Sequence, residues 1–209
     1  MIDALAAFVR LREGNQRFAA GLRSPDAMPS HERRAELLAG QEPFAIILGC
    51  SDSRAPAELV FDQGLGDLFV IRVAGNIVAS SQVGSVEFAA ARFGTRLVVV
   101  LGHTQCGAVL ATVEELLRPS GNSSRGLRSI VDRIRPSVEG LIATKPGAAA
   151  DEWVRQAIRA NVRVSANHLR HGSEILEDLI EHHGLRVVGA EYSLETGLVE
   201  FFDGLPPGV

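Results

Sequence analysis

The sequence predicts an α/β protein built on a central, mainly parallel β-sheet that is flanked by helices. Three short apolar runs rich in β-branched residues are typical of strands buried on both faces: FAIILG (44–49), LFVIRV (68–73) and LVVVLG (97–102). Segments with helical spacing separate these runs, and strands that alternate with helices favour a parallel sheet. The chain has 209 residues, 46% of them hydrophobic, which is enough for one large core. We therefore expect a single domain over 1–209, with a helical N-terminal arm over 1–40 and an α/β core over 44–209.

Two helices are predicted before the first strand. Apolar residues recur near helical spacing through 2–20, and Gly21 is suited to end that helix. Ser30 is a favourable N-cap for a second, shorter helix, which Gly40 ends. These two helices make up the expected arm.

The rest of the chain continues the alternation of helices and strands. Gly94 and Gly184 are each suited to end a helix that precedes an apolar run. Clusters of Pro, Gly and Ser mark loops between the helices. After the second strand, the expected elements are a helix over 83–94, the strand over 97–102, a helix over 107–117, loops over 118–126 and 144–151, helices over 151–171 and 173–183, and strands over 185–192 and 198–202.

Composition and charge argue against several classes of partner. The net charge is −4 and the arginines are scattered, which is not typical of proteins that bind nucleic acid or anionic membrane surfaces. The longest apolar stretches are far shorter than the roughly 20 residues that span a bilayer. Asp3 precedes the first arginine, Arg10, whereas a secretory signal begins with basic residues. We expect a cytoplasmic protein that binds neither nucleic acid nor membranes.

Two cysteines and a histidine form a candidate metal site. Cys50 directly follows the first predicted strand, and GHTQCG (102–107) supplies His103 and Cys106 at the end of another. Sites in parallel sheets form beyond the carboxyl ends of the strands, so these residues should lie on one rim of the sheet. Two thiolates and one imidazole suit zinc and leave a fourth position open. From spacing alone, cysteines that act as small core residues remain an equal alternative.

Five motifs together resemble the β-class carbonic anhydrases. They are CSDSR (50–54), GHTQCG (102–107), LREGNQRF (11–18), DQGLGDLFVIRVAGN (62–76) and VVGAEYSLETGLVEF (187–201). The resemblance implies one Zn²⁺ per chain, held by Cys50, His103 and Cys106. It also implies the reversible hydration of carbon dioxide to bicarbonate and a proton, through attack by zinc-bound hydroxide.

The same resemblance assigns roles to four residues around the metal. Asp52 and Arg54 form a catalytic pair, in which Arg54 holds the carboxylate by a charge-assisted hydrogen bond. Asp52 would bind zinc itself only in a closed state at low pH. Gln63 matches a pocket glutamine of the family, and the N–H of Gly107 can donate to bicarbonate at a helix start.

An inhibitory bicarbonate site found in some bacterial relatives is only partly matched. That site uses a Trp, an Arg and a Tyr. Arg72 and Tyr192 match two of these positions, but Ile47 occupies the position of the tryptophan, so the chain departs from the pattern. We interpret Arg72 as a structural residue at a subunit interface.

The resemblance also implies self-association. The family consists of dimers, in which N-terminal helices pack on the partner subunit, and some dimers pair into tetramers. We therefore expect a homodimer or homotetramer. The remaining histidine pairs and four arginines are interpreted as helix surface, the arginines as an exposed or intersubunit face: His168 and His171, His182 and His183, and Arg155, Arg159, Arg163 and Arg170.

Two other functions use the same motifs. A carbon disulfide or carbonyl sulfide hydrolase would keep the zinc site and differ in access to the pocket. A non-catalytic protein would use zinc only to hold the fold or to bind bicarbonate. The presence of both Asp52 and Arg54 argues against the second alternative, because a structural zinc site does not need them.

Overall fold

A five-stranded sheet lies at the centre of the computed structural model, which describes residues 2–119, 124–144 and 149–205. Its strands are β1 (Ala45–Gly49), β2 (Leu68–Arg72), β3 (Leu97–His103), β4 (Arg186–Tyr192) and β5 (Val199–Asp203). Their order in the sheet is β2–β1–β3–β4–β5. The first four strands pair in parallel, and β5 is antiparallel to β4. The predicted mainly parallel sheet is confirmed.

Helices cover both faces of this sheet. They are α1 (Ala4–Ala19), α2 (His31–Glu36), α3 (Ala57–Val60), α4 (Ser80–Arg92), α5 (Gly107–Leu117), α6 (Arg125–Thr144), α7 (Ala150–His171) and α8 (Glu174–His182). On one face, Ile47 and Val99 pack with Phe8 of α1. On the other, Leu48 belongs to a cluster with residues of α4, α7 and α8. Strands β1 and β3 are buried throughout, which explains their unbroken apolar sequences.

Helix α6 is the main element that the sequence patterns do not predict. Pro136 lies inside it, where proline removes a backbone hydrogen bond and disfavours a helix. The helix forms because Ile134 and Val138 make a buried stripe in a cluster with α5 and α7. Its first residues lie within the loop expected over 118–126. Residues 120–123 and 145–148 of the two expected loops lie outside the described residues, as do residues 1 and 206–209 of the expected domain.

Helix α1 packs on the sheet of its own chain. Phe8 and Leu11 are buried against β1 and β3. The buried Asn15 side chain donates to Gly197 O at 2.8 Å and accepts from Val199 N at 2.7 Å, which joins α1 to the start of β5. The expected contact of this helix with a partner subunit remains a prediction.

Two arginines of α7 bind the edge of the sheet. Arg159 donates to both carboxylate oxygens of Glu200 at 2.8 Å, and its guanidinium lies 4.0 Å from the ring centre of Phe202. Arg170 donates to Val187 O and to Asp203 Oδ2, both at 2.6 Å. These contacts were not predicted, because the acidic partners lie far away in the sequence, on β5. An intersubunit face on α7 remains a prediction. Among the described helices, none combines the length and hydropathy that a bilayer-spanning helix needs.

Candidate metal centre

The site lies where the sheet changes direction. From β1, the chain adds β2 on one side and β3 on the other, so the carboxyl ends of β1 and β3 form a switch point, where ligands bind in open α/β sheets. Cys50 follows β1 directly, and His103 is the last residue of β3. Gly49 is paired with Leu101, so the end of β1 lies two residues from the end of β3 at His103.

The structure brings the three predicted metal ligands together. The two Sγ atoms and the imidazole nitrogen of Cys50, Cys106 and His103 all lie within 4.8 Å of one another. All three side chains are buried, with exposed fractions of 6%, 1% and 1%. Both cysteines are free thiols. Soft sulfur and borderline nitrogen donors at this spacing suit a zinc ion.

The imidazole of His103 is oriented for metal binding. Its Nδ1 lies 2.9 Å from Thr104 O, and since a carbonyl only accepts, Nδ1 carries the proton. Its Nε2 is buried and has no hydrogen-bond partner in the part of the chain that the structure describes. Thr104 is fixed in turn, because its N–H donates to Tyr192 O at 2.9 Å and its hydroxyl accepts from Leu194 N at 3.0 Å. A lone pair on Nε2 therefore faces the two sulfur atoms, which is the usual arrangement of a histidine ligand.

The charges of the three ligands depend on one another. The neighbouring Cys106 thiol lowers the pKa of Cys50, with further help from His103 and from the N–H of Gly75, although burial opposes this shift. The Cys50 thiolate, together with burial, raises the pKa of Cys106. Burial alone would lower the pKa of His103, but the neighbouring Cys50 thiolate outweighs it and the net shift is upward. The site thus favours one thiolate, on Cys50, beside a protonated Cys106.

Asp52 and Arg54 form a close ion pair beside the ligands. Arg54 donates from Nε and from its backbone N–H to Asp52 Oδ1, both at 2.9 Å, and from Nη2 to Oδ2 at 2.8 Å. These hydrogen bonds hold the pKa of Asp52 well below its usual range, despite partial burial. Asp52 Oδ2 lies 3.8 Å from His103 Nε2, so the ionised carboxylate borders the site.

Arg72 holds the backbone of the loop that carries these residues. Its Nε donates to Cys50 O at 3.0 Å and its Nη2 to Asp52 O at 2.6 Å. The guanidinium therefore has a role within its own chain that the sequence did not indicate. The pairing of Gly49 with Arg72 across β1 and β2 explains the contact, since it places Arg72 next to the end of β1.

The two predicted substrate contacts, Gln63 and Gly107, differ in burial and in hydrogen bonding. Gln63 is buried, its Nε2 donates to Phe61 O at 2.7 Å, and its Oε1 accepts from Arg10 Nε at 3.0 Å. Gly107 is exposed as the first residue of α5, and a Cβ added there would meet no atom within 4 Å. Contact of either residue with substrate stays a prediction.

Gly75, which lies in the motif at 62–76, and Asn161 contribute to the site, although no role was predicted for either residue. The N–H of Gly75 donates to Cys50 Sγ at 3.3 Å, and Asn161 of α7 donates to Gly75 O at 2.7 Å. In contrast, His182 and His183 pair with Asp178 on α8. Within the described residues, Cys50, His103 and Cys106 form the one group of three possible metal ligands.

Comparison with known proteins gives the family. The family model for carbonic anhydrase matches residues 45–199. A Mycobacterium tuberculosis protein named carbonic anhydrase 2 is 40% identical over 199 residues, which are 93% of this chain and 91% of the relative. The crystal structure of a β-carbonic anhydrase of Aspergillus fumigatus superposes with a TM-score of 0.73 at 27% identity, covering 98% of this chain and 93% of the other. A structure from Sordaria macrospora, described as one of two tetrameric β-carbonic anhydrases, has a TM-score of 0.71 at 22% identity and covers 81% and 85% of the two chains.

These matches span the whole site, from the strand before Cys50 to the pairing of β4 with β5. The fold, the ligand set and the sequence identity agree with one another. The chain therefore belongs to the β-class carbonic anhydrases and is a carbonic anhydrase enzyme.

Proposed function

We propose that the chain catalyses the reversible hydration of carbon dioxide to bicarbonate and a proton at one zinc ion bound by Cys50, His103 and Cys106. One observation carries this assignment. The buried Nε2 of His103 has no hydrogen-bond partner among the described residues, and the imidazole lies close to the sulfur atoms of Cys50 and Cys106. An unpartnered buried nitrogen is unfavourable unless it binds something. Three protein ligands leave a fourth position open, as catalytic zinc sites require.

Zinc bound at these ligands would acidify a water molecule and so supply the nucleophile that attacks carbon dioxide. The contribution of the protein is then mainly orientation. Asp52 is ionised and can only accept hydrogen bonds, so it determines which way a water O–H points beside the ligands. Arg54 keeps the carboxylate in this orientation through its three hydrogen bonds. We assign catalytic roles to both residues on this basis.

We also propose a closed state at low pH, in which Asp52 is the fourth metal ligand. A carboxylate is a stronger ligand for a divalent cation than a neutral water molecule. Because Asp52 Oδ2 lies only 3.8 Å from His103 Nε2, a small rotation would bring it to the metal. Arg54 opposes this movement. The carboxylate bound to Arg54 is the arrangement expected of the open state.

For bicarbonate, the proposed contact is the N–H of Gly107. Helix N-termini present free N–H groups and a partial positive charge, which favour anions. The open space around Gly107 supports this contact. Gln63 is a weaker candidate, because its amide would first have to leave Phe61 and Arg10.

We propose that the chain assembles into a homodimer or homotetramer. Phe88 on α4 is 54% exposed and lies against Phe69 and Phe93, which gives the surface an aromatic patch. Contiguous exposed apolar patches are typical of protein–protein contacts. The tetrameric Sordaria macrospora protein has the same fold, which further supports self-association.

A cytoplasmic location is part of the proposal. Its support is the state of Cys50 and Cys106, which are both free thiols. Free cysteines are typical of a reducing compartment.

The zinc assignment is tested by removing single ligands. Cys50→Ser and Cys106→Ser should each lose zinc and carbon dioxide hydration together, because a hydroxyl is a poor replacement for a thiolate. Zinc content and stopped-flow hydration are measured on the same sample, with His168→Ala and His182→Ala as controls that keep both. X-ray absorption should find two sulfur and one nitrogen ligand, and a shell made mainly of oxygen would overturn the assignment.

A further inference from the structure

A short loop between β2 and α4 touches the metal site through one backbone group. The N–H of Gly75 donates to Cys50 Sγ at 3.3 Å. Gly75 and Asn76 both have positive φ angles, 69° and 43°, which turn the chain sharply at this point. A Cβ on Gly75 would lie 2.7 Å from Ile134 Cδ1 and 3.1 Å from Ala108 Cβ. Glycine is therefore required here, for its backbone angles and for its size.

Glycine has no side chain that restricts its backbone angles. The direction of the Gly75 N–H therefore depends on which groups bind the loop. Helix α7 supplies two side chains. Asn161 Nδ2 donates to Gly75 O at 2.7 Å, and Ser165 Oγ donates to Asn76 O at 3.0 Å. Asn161 and Ser165 are one helical turn apart and are 1% and 3% exposed. Both hydrogen bonds are thus shielded from water.

The hydrogen bonds donated by Asn161 and Ser165 differ in how directly they act on the residue that donates to the Cys50 sulfur. Gly75 is held at both of its backbone groups, by Cys50 through its N–H and by Asn161 through its carbonyl. Ser165 binds the next residue, Asn76, whose own N–H donates to Val73 O instead. Asn161 therefore fixes the residue that donates to the sulfur, whereas Ser165 fixes its neighbour.

Packing alone does not account for an amide at position 161. The Oδ1 of Asn161 is buried and has no hydrogen-bond partner among the residues that the structure describes. A buried polar atom without a partner is unfavourable, so an apolar side chain would suit packing better. The amide is explained by the donor that it directs at Gly75 O.

We propose that Asn161 is a positioning residue, which holds the Gly75 N–H on the Cys50 sulfur and so adjusts how strongly that sulfur binds the metal. An N–H donated to a thiolate withdraws electron density from it. Without the bond, Cys50 would donate more charge to the metal, and the ligand would be less well oriented. Groups that orient metal ligands in this way typically change metal affinity by about 10–100-fold when they are removed. The inference rests on the proposed metal site.

The test uses the full-length protein loaded with cobalt, whose thiolate-to-metal charge-transfer absorption reports directly on the sulfur. Asn161→Asp keeps the shape but removes the donor, and Asn161→Leu removes all polarity. Both should move the absorption to longer wavelength, because the sulfur keeps more charge. Both should also weaken zinc binding about 10–100-fold in competition with a chelator, because the loss of ligand orientation outweighs the stronger donor. Ser165→Ala, which removes the neighbouring hydrogen bond, should leave the absorption at its wild-type position.

Three results would decide against the inference. An unshifted absorption in an Asn161 variant that still binds cobalt overturns it. An equal shift in Ser165→Ala also does, because it would indicate general loosening of the loop. If the Asn161 variants do not fold, wild-type protein loaded with ¹¹³Cd provides the test: a scalar coupling from the metal to the Gly75 amide proton is expected, and its absence rejects the bond. A wild-type cobalt protein without any thiolate absorption would instead overturn the ligand role of Cys50 itself.

Discussion

Asp52 is held in one orientation by a residue only two positions away. Arg54 binds both oxygens of its carboxylate, and Arg72 binds the Asp52 carbonyl from the neighbouring strand. The carboxylate pKa is lowered mainly by the hydrogen bonds from Arg54, so near neutral pH the group is charged and accepts only. A fixed acceptor beside the ligands is what the proposed orientation of water requires.

Replacing this acceptor should slow the enzyme without removing its metal. Asp52→Asn introduces an amide that accepts hydrogen bonds more weakly and also donates, so kcat/KM for carbon dioxide hydration should fall about 10–100-fold, the usual effect of removing such a contact. Zinc content should stay at one per chain, because the three ligands are unchanged. Unchanged kinetics in a zinc-loaded variant would remove Asp52 from the mechanism.

Arg54→Ala tests the closed state. Without its partner, the Asp52 carboxylate should bind the metal over a wider pH range than in the wild-type protein. Crystal structures of both proteins at acid and alkaline pH would show this directly. If Asp52 stays off the metal in the variant at acid pH, the closed state does not exist in this protein.

Residues of the site differ in how far the sequence reveals them. Cys50, His103 and Cys106 could be predicted, because their side chains have distinctive chemistry and each follows an apolar run. Asn161 and Arg72 could not, because both residue types are common and each binds a backbone carbonyl. Only the folded chain determines which carbonyl lies within reach.

Helix α7 contributes both to the metal site and to the packing of the last strand. One part of it holds the loop at Gly75 through Asn161, and another binds β5 through Arg159. Glu191 lies beside Arg159 at 3.4 Å and is half-buried. Burial is the largest influence on Glu191 and raises its pKa, although Arg159 opposes this shift.

Arg159→Gln should therefore destabilise the protein in a pH-dependent way. Because the pKa of Glu191 is raised by folding, its ionisation opposes the folded state as pH rises above about 4.3, the ordinary value for Glu. Loss of Arg159 raises that pKa further, so the loss of stability should be about 1–3 kcal/mol at pH 7 and clearly smaller near pH 4. Urea denaturation at the two pH values measures it, with the exposed Arg155→Gln as the matched control. Glu200 contributes in the same direction, because Arg159 lowers its pKa. An equal loss at both pH values would show that Arg159 stabilises neither ionised carboxylate.

Strands and helices could be predicted where the local sequence favours the same element that burial in the fold stabilises. The strand at 97–102 has an unbroken apolar sequence, and β3 is indeed buried on both faces. Helix α6 could not be predicted, because Pro136 disfavours it locally and only packing against α5 and α7 compensates. The partners of Arg159 and Arg170 were missed for the same kind of reason, since the acidic residues of β5 come from a distant segment.

For the whole molecule, we propose that the arm and the α/β core form one domain. Phe8 and Leu11 belong to the same buried cluster as the strands, so α1 is part of the core rather than an appendage. Deleting residues 1–20 would uncover one face of the sheet. A fully buried large apolar side chain contributes about 1.5–3 kcal/mol, against a total stability of about 5–15 kcal/mol for a typical protein.

The deletion should thus leave a chain that is at best marginally folded. Circular dichroism during urea denaturation would show an early and broadened transition relative to the full chain.

Light scattering of the full chain at micromolar concentration should give two or four times the chain mass of 22.3 kDa. A monomeric full chain would contradict the proposed assembly, and a truncated chain of normal stability would contradict the single domain.

The anchoring of Thr104 has a consequence for the order of events during synthesis. The turn after His103 is fixed by Tyr192 and Leu194, and Leu194 is made 90 residues after Thr104. Although all three metal ligands precede α5 in the sequence, the site cannot take its final shape until β4 has paired with β3. A metal ion that binds the finished site more tightly than the incomplete chain stabilises only the completed fold. This stabilisation grows with the logarithm of the free metal concentration. Metal uptake into the finished site therefore follows the synthesis of β4, and a chain stalled before β4 would have all of its ligands and no native site.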